Sequence, residues 1–403
     1  MWVTQGTPPP RSARRMSSTS PLHAVSSGLL VAIVGFASST AIVVKGLEAA
    51  GANAAEITSG LLAVSVAMGV LGIGLGLATR MPISIAWTTP GMALLATTGV
   101  VPGGFPAVTG AFLVTGLLIV AAGLFEPLGR AVAAIPKPIA AAMLAGVLMK
   151  LCLAPFVALS RLPVAAAVVL ATWLVLFRFA RLWAAPGAAA VALGFILVAD
   201  GGGGPIAFTL PVPVWVTPAF EPQALISVAL PLFLVTMASQ NIPGYAVLGT
   251  YGYRPPFRPL LIATGLASAL TAPLGAPTSN LAAITAALCA GPDADPDPAR
   301  RWRVAVTAGV IYIGFGLLAA VLVGLVTRSS PLLVEAAAGL ALLGALGASL
   351  QGAVADEAER VPALLTFLTA ASGLTVAGIG PAFWGLVVGL VVHVFLRAGR
   401  KPA

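Results

Sequence analysis

The chain has 403 residues, of which 59% are apolar and 8% charged, with a mean hydropathy of +1.03. No soluble fold of this length needs so much apolar surface, so composition excludes a water-soluble enzyme or binding module and points to a polytopic membrane protein. The net charge of +9 sits in short loops beside apolar runs, without aromatic interleaving or a recognition motif, which excludes nucleic acid as the partner and makes anionic lipid headgroups the expected one.

In chain order, residues 1–22 are rich in Pro, Ser and Arg and read as a disordered cytoplasmic tail. The basic start and following apolar run imitate a secretory signal, but the run is too long and leads into further spans, so an uncleaved first helix is expected. Apolar segments follow near 24–45, 55–79, 82–101, 104–125, 138–155, 163–177 and 184–199, then near 223–247, 259–273, 275–290, 304–327, 333–352, 361–375 and 378–396. This predicts an all-α membrane protein of about fourteen crossings or half-crossings. With the N-terminus in the cytoplasm, 17 of the 21 Lys and Arg fall on the cytoplasmic side. So strong a bias is what the positive-inside rule demands, and it places the C-terminal tail, 398–403, in the cytoplasm as well. The exceptions are Lys45, Lys150, Arg161 and Arg328. Lys150 either snorkels its stem to the outer headgroups or faces the transport path and attracts anions.

The third segment is interrupted at Arg80-Met-Pro-Ile-Ser-Ile-Ala-Trp-Thr-Thr-Pro-Gly91, and the tenth at Thr271-Ala-Pro-Leu-Gly-Ala-Pro-Thr-Ser-Asn280. Irregular backbone at membrane depth is tolerated only where protein covers it or it lines a watery cavity. Two such breaks in corresponding places of two halves are the mark of a secondary transporter. A Gly- and Pro-rich connector, 201–222, separates a first seven-span unit, 23–200, from a second, 223–397. An odd number of spans per half makes the second half enter from the opposite side, which predicts inverted repeats. Phe36-Ala-Ser-Ser-Thr40 in span one and Met237-Ala-Ser-Gln-Asn241 in span eight, each preceding a break, carry a faint echo of the duplication, and Pro243-Gly244 interrupt span eight itself.

Each break predicts an extended piece, 83–87 or 274–276, followed by a half-helix beginning near Pro90 or Asn280 and capped by Thr89, Ser279 or Asn280. Two converging helix N-termini, each worth roughly half a positive charge, would suit one carboxylate without any cationic side chain. Trp87, Met92 and Phe233 are apolar groups that could receive a hydrophobic body. The candidate substrate residues are Ser39, Thr88, Thr89, Gly91, Gln240, Asn241, Thr278, Ser279 and Asn280. Any single Thr, Ser or Gly in a span is more often a packing residue than a ligand. Gln240 and Asn241 stand out because adjacent mid-span amides are expensive unless partnered.

The Gly69-x-x-Gly72-x-Gly74-x-Gly76 run has neither a preceding strand nor a following Lys-Ser/Thr, and reads as helix packing. Cys152 and Cys289 read as core residues, while His23 and His393 have no ligand at metal spacing. No nucleophile with its base, metal site or cofactor motif occurs, so the chain is not expected to be an enzyme.

Together, Gly35-Phe-Ala-Ser-Ser39, Arg80-Met-Pro82 with Ala86-Trp-Thr-Thr-Pro-Gly91, Gln240-Asn-Ile-Pro-Gly244 and Ala276-Pro-Thr-Ser-Asn280 resemble the BenE-type benzoate/proton symporter family of bacterial inner membranes, from about Leu22 to Arg397. The resemblance implies uptake of an aromatic carboxylate with a proton, kinship with nucleobase permeases and sulfate-type anion transporters, and an architecture compatible with a homodimer. It also implies a core of spans 1–4 and 8–11 and a gate of spans 5–7 and 12–14, with the extended pieces meeting at the substrate. The chain departs from nucleobase permeases in having no carboxylate at the site, since all twelve acids fall in or near loops and helix ends. That fits an anion and leaves the proton carrier open. An inorganic-anion or dicarboxylate carrier of the same fold, and an anion channel, are the alternatives.

Overall fold

The computed structural model describes residues 21–37, 39–125, 135–199, 209–282, 284–327, 331–377 and 379–398. The tails and the glycine-rich start of the connector, expected at 1–22, 398–403 and 201–208, lie outside them apart from residues 21, 22 and 398. Among the described residues, seven helices are long and apolar enough to cross a membrane: Ala24–Ala49, Ala54–Thr79, Gly104–Leu124, Lys137–Arg161, Pro222–Thr250, Phe257–Leu274 and Leu332–Ala353. An eighth span results if Pro298–Leu317 and Ala319–Leu325, bent by 61° at their junction, are taken together. Three further apolar helices, Pro163–Phe179, Arg360–Ala371 and Pro381–Arg397, are shorter. The third and tenth predicted segments are broken as expected.

The elements that position the site are α1 (Pro21–Ala37), α2 (Thr40–Ala49), α3 (Ala54–Thr79), β1 (Ile85–Trp87), α4 (Thr89–Thr98), α5 (Gly104–Leu124) and α6 (Lys137–Arg161). After α7 (Pro163–Phe179) and α8 (Ala184–Ala199) come α9 (Pro222–Thr250), α10 (Phe257–Thr271), β2 (Ser279–Leu281) and α11 (Ile284–Ala290). The chain closes with α12 (Trp302–Leu317), α13 (Ala319–Thr327), α14 (Pro331–Ala353), α15 (Arg360–Ala371) and α16 (Pro381–Arg397).

Helix α3 is started by a capping box, in which Asn53 accepts from Ala55 and Glu56 N–H while the Glu56 carboxylate accepts from Asn53 N–H. It stops at Arg80, whose φ of 55° lies in the left-handed region and whose guanidinium sits 4.4 Å from the Trp302 ring centre. Small residues set the helix crossings. Helix α3 meets α12 where Gly69 faces Gly309, and α5 meets α10 where Gly116 faces Gly265. A Cβ on Gly69 would stand 2.6 Å from the Gly309 carbonyl oxygen, and one on Gly116 2.8 Å from that of Gly265. The backbones therefore touch directly, the usual device where lipid removes the hydrophobic drive between helices. Gly69 and Gly76 of the glycine run thus serve packing, while Gly74 faces open space.

The described part of the connector is not loose. Ser59, inside α3, donates its hydroxyl to Leu274 O at 2.9 Å and accepts from Val214 N–H at 2.8 Å. Val216 N–H reaches Pro273 O at 2.7 Å, and Ala219 N–H reaches Pro106 O at 2.8 Å. Lys150 is exposed within α6, about 20 Å from the helix start at 1.5 Å per residue, and the helix continues to Arg161. It lies in the helix body, with no loop near it.

Candidate functional site

The two breaks meet. β1 and β2 form a two-stranded antiparallel ladder with Ile85 opposite Leu281, Ala86 opposite Asn280 and Trp87 opposite Ser279. Thr88 N–H donates to Thr278 O at 3.1 Å and Ala282 N–H to Ser84 O at 3.0 Å, so the Trp87/Ser279 and Ile85/Leu281 pairs turn their own amides and carbonyls outward. In a membrane those outward groups need protein partners. Helix α9 supplies two of them. The Gln240 Nε2 donates to Trp87 O at 2.9 Å on one edge, and the Asn241 Oδ1 accepts from Leu281 N–H at 3.0 Å on the other. Asn241 Nδ2 also donates to Asn280 Oδ1 at 3.1 Å, while Asn280 Nδ2 reaches Thr278 Oγ1 at 3.1 Å. Helix α10 completes the second edge: Ser268 Oγ accepts from Ser279 N–H at 2.9 Å.

Adjacent side chains of a regular helix point about 100° apart, yet both amides reach the ladder. The cause is local. Residues Met237–Asn241 form a widened π-type turn, and Pro243 has no N–H to give the Ser239 carbonyl, which frees the backbone to widen there. The same thing happens at Leu225–Ala229, four residues before Pro231 at Ser227. Span eight is therefore not interrupted at Pro243-Gly244, as the sequence suggested; it is continuous from Pro222 to Thr250 and widened. Gly244 lets it lie on β2, since a Cβ there would come 2.7 Å from Ala282 O.

The expected site residues gather around the ladder, with three corrections of detail. Helix α4 is capped by Thr88, whose Oγ1 accepts from Gly91 N–H at 3.0 Å, and Thr89 is its first helical residue. The second extended piece is Ser279–Leu281 rather than 274–276, because Pro277 biases the residue before it to extended backbone and β1 offers a partner. Residues Ala272–Leu274 instead form a tight 3-10 turn closed by Gly275 at φ 78°. The second half-helix consequently starts at Ile284, four residues later than expected, and Ser279 and Asn280 are strand residues with no capping role. Its far end is held by the buried Arg301, which donates to Ala290 O at 2.7 Å.

At the start of α4, Pro90 has no N–H and Gly91 gives its own to Thr88 Oγ1. Gly91 is buried against Leu232 of α9 and the Thr88 side chain, both of which a Cβ would strike. Ser39 accepts from the Trp87 indole at 2.8 Å and donates to Gly35 O at 2.9 Å. Trp87 ends an aromatic chain, its ring centre 4.7 Å from that of Phe36, which in turn lies 4.9 Å from that of Phe315. Met92 and Phe233 are buried core residues. Two polar atoms at the ladder lack a partner: Gln240 Oε1 and Ser279 Oγ.

A second polar cluster was invisible in the sequence. Glu359, buried just before α15, receives Arg397 Nη2 at 2.9 Å and lies 2.6 Å from His393 Nδ1, both from α16. The 34-residue separation of Glu359 and His393 gives no local signal. Among the described residues, no group of three or more His, Cys, Asp or Glu side chains could hold a metal ion.

The sequence profile of the BenE family, described as benzoate membrane transport protein, matches residues 18–395. The inner membrane protein YdcO of Escherichia coli is 40% identical over 378 residues, covering 92% of this chain and 95% of that protein. The benzoate membrane transport protein of Acinetobacter baylyi is 32% identical over 384 residues, covering 93% and 95%. In structure, the chain is similar to the transmembrane domain of a cyanobacterial bicarbonate transporter, BicA, with TM-score 0.55, 16% identity and coverage of 94% and 98%. It is also similar to SLC26A9, with TM-score 0.56, 14% identity and coverage of 92% and 65%. Those likenesses give it the fold of membrane transporters, and the chain is a multi-pass membrane protein and no enzyme. With sequence matches across nearly its whole length, the chain belongs to the BenE family of benzoate membrane transport proteins.

Proposed function

We propose that the chain is a secondary active transporter that imports benzoate or a similar aromatic carboxylate with a proton across the bacterial inner membrane, its N- and C-termini in the cytoplasm. The observation that carries the reading is the crossing of two broken spans in one small ladder, dressed with hydroxyl and amide side chains and with no carboxylate among the groups that touch it. Membership of the family supports the choice of an aromatic carboxylate as substrate. Alternating access would come from spans 1–4 and 8–11 moving against spans 5–7 and 12–14, which are two inverted seven-span repeats in this reading.

The helix crossings support the duplication. Exchanging span 2 with 9 and span 4 with 11 turns the Gly69–Gly309 contact of α3 and α12 into the Gly116–Gly265 contact of α10 and α5. The basic residues of the loops set the orientation, and the exposed apolar surface of the spans is matched to lipid, with a homodimer as a compatible assembly.

Counterflow of labelled benzoate in proteoliposomes tests the function. Saturable flux, stimulated by an inward proton gradient and inhibited by substituted benzoates but not by sulfate, is the expected result. Flux inhibited by sulfate or bicarbonate, but not by benzoates, would assign an inorganic-anion carrier instead. Non-saturable flux that ignores the pH gradient would assign a channel.

A further inference from the structure

Among the described residues, the buried side-chain polar atoms without a hydrogen-bond partner are Ser65 Oγ, Gln240 Oε1 and Ser279 Oγ. The last two flank Trp87, one at the outer edge of β1 and the other on β2. Gln240 is bonded to the Trp87 carbonyl, and Ser279 stands opposite Trp87 in the ladder, where the Cα atoms of a pair with outward amides are about 4.5 Å apart. Gln240 is 8% exposed and Ser279 0%.

The sense of the Gln240 amide is fixed. Its Nε2 faces Trp87 O, which only accepts, so turning the amide over would press two acceptor oxygens together. Oε1 is therefore the free atom, and it too can only accept. A carboxylate is likewise acceptor-only, so an anion brought to Oε1 meets repulsion unless a hydrogen lies between them. A protonated carboxyl carries one donor and one acceptor. Its O–H matches Gln240 Oε1, and its C=O matches the Ser279 hydroxyl, which is free to donate. At the start of α4, Pro90 offers no N–H and Gly91 N–H is taken by Thr88, so neither of these two donates to an anion.

Resting on the carboxylate-uptake reading above, we propose that the substrate is bound as the neutral acid, its O–H donating to Gln240 Oε1 and its carbonyl accepting from Ser279 Oγ–H. The co-transported proton then crosses on the substrate. It is taken from water by the carboxylate outside, stays on the carboxyl oxygen in the site, and returns to water when the acid ionises inside. No protein carboxylate is needed, which accounts for a site without one.

Three ligands on the same phenyl ring separate this from an anion site with a remote proton carrier. Benzamide offers an N–H donor and a C=O acceptor at every pH, whereas benzenesulfonate remains an anion. In competition against labelled benzoate counterflow, benzamide is expected to inhibit with the same constant at pH 6 and pH 8, and benzenesulfonate to be without effect. The apparent KM for total benzoate should rise about tenfold per pH unit over that range, since each unit above a carboxyl pKa near 4 dilutes the neutral form tenfold. Gln240→Met should weaken benzamide and benzoate together by about tenfold, the value of one hydrogen bond near 1.4 kcal/mol. Unaltered inhibition constants in folded Gln240→Met overturn the assignment of Oε1. Benzoate counterflow that is inhibited by benzenesulfonate and indifferent to benzamide overturns the neutral-acid inference and leaves carboxylate uptake standing. Absence of benzoate counterflow at every pH overturns the uptake reading and this inference with it.

Discussion

Asn241→Leu separates the work of the two neighbouring amides. Leucine keeps the branched shape of asparagine at a greater volume, and the two bonds to the ladder vanish: the one received from Leu281 N–H at 3.0 Å and the one given to Asn280 Oδ1 at 3.1 Å. Asn241, Leu281 and Asn280 are all at most 1% exposed, so the two orphaned groups have no water to turn to. Each buried unpaired group costs about 1 to 3 kcal/mol, giving about 2 to 6 kcal/mol in all. Unfolding in mixed micelles titrated with SDS, followed by tryptophan fluorescence, should show a loss in that range. In the double variant Asn241→Leu/Asn280→Leu the orphaned Asn280 Oδ1 is gone while Thr278 Oγ1 loses its own partner, so a double-mutant cycle that includes Asn280→Leu alone reads the Asn241–Asn280 coupling, expected at about 1 to 3 kcal/mol. Benzoate affinity of the folded fraction should stay within two-fold of wild type. Normal stability with a large loss of affinity would refute the reasoning and make Asn241 a substrate ligand.

Three further outcomes follow from the geometry. Trp87→Phe keeps the ring against Phe36 but leaves Ser39 without its indole donor, and should cost about 0.5 to 1.5 kcal/mol, against about 3 to 5 kcal/mol for Trp87→Ala, by the same unfolding assay. Gly91→Ala should be destabilised by about 1 to 3 kcal/mol through overpacking on Leu232, and Leu232→Ala should partly restore it; no rescue would mean the glycine serves something other than that contact. Glu359→Gln should lower stability by about 1 to 2 kcal/mol, as Arg397 is largely exposed and screened, while the KM for benzoate stays unchanged.

Much of the site was legible because its rules are local. Pro82, Pro90, Pro273 and Pro277 cannot sit inside plain helices, and a break at membrane depth must be covered, so the two interrupted segments announced themselves. That the two extended pieces meet was expected from the family resemblance. The register was not. Which three residues of 271–283 become β2 depends on the partner strand, and the sequence pattern favoured 274–276, where a 3-10 turn formed instead. The division of labour between Gln240 and Asn241 was hidden for a similar reason: which edge each amide meets depends on where β1 and β2 lie, and only the missing Pro243 N–H hinted at the π-type turn that carries both. Gly91 packs against Leu232 and Thr88, contacts that no local pattern announces. The Glu359–His393–Arg397 cluster lies beyond any local pattern.

The central claim is that substrate binds where the two broken spans cross. A cryo-electron microscopy structure of the protein with benzoate in lipid nanodiscs at low pH tests it most directly. The account predicts density for the carboxyl between Gln240 and Ser279, beside the β1–β2 ladder. Density for benzoate elsewhere, such as the cleft beside Glu359, His393 and Arg397, with the ladder side chains unmoved and unliganded, would contradict it.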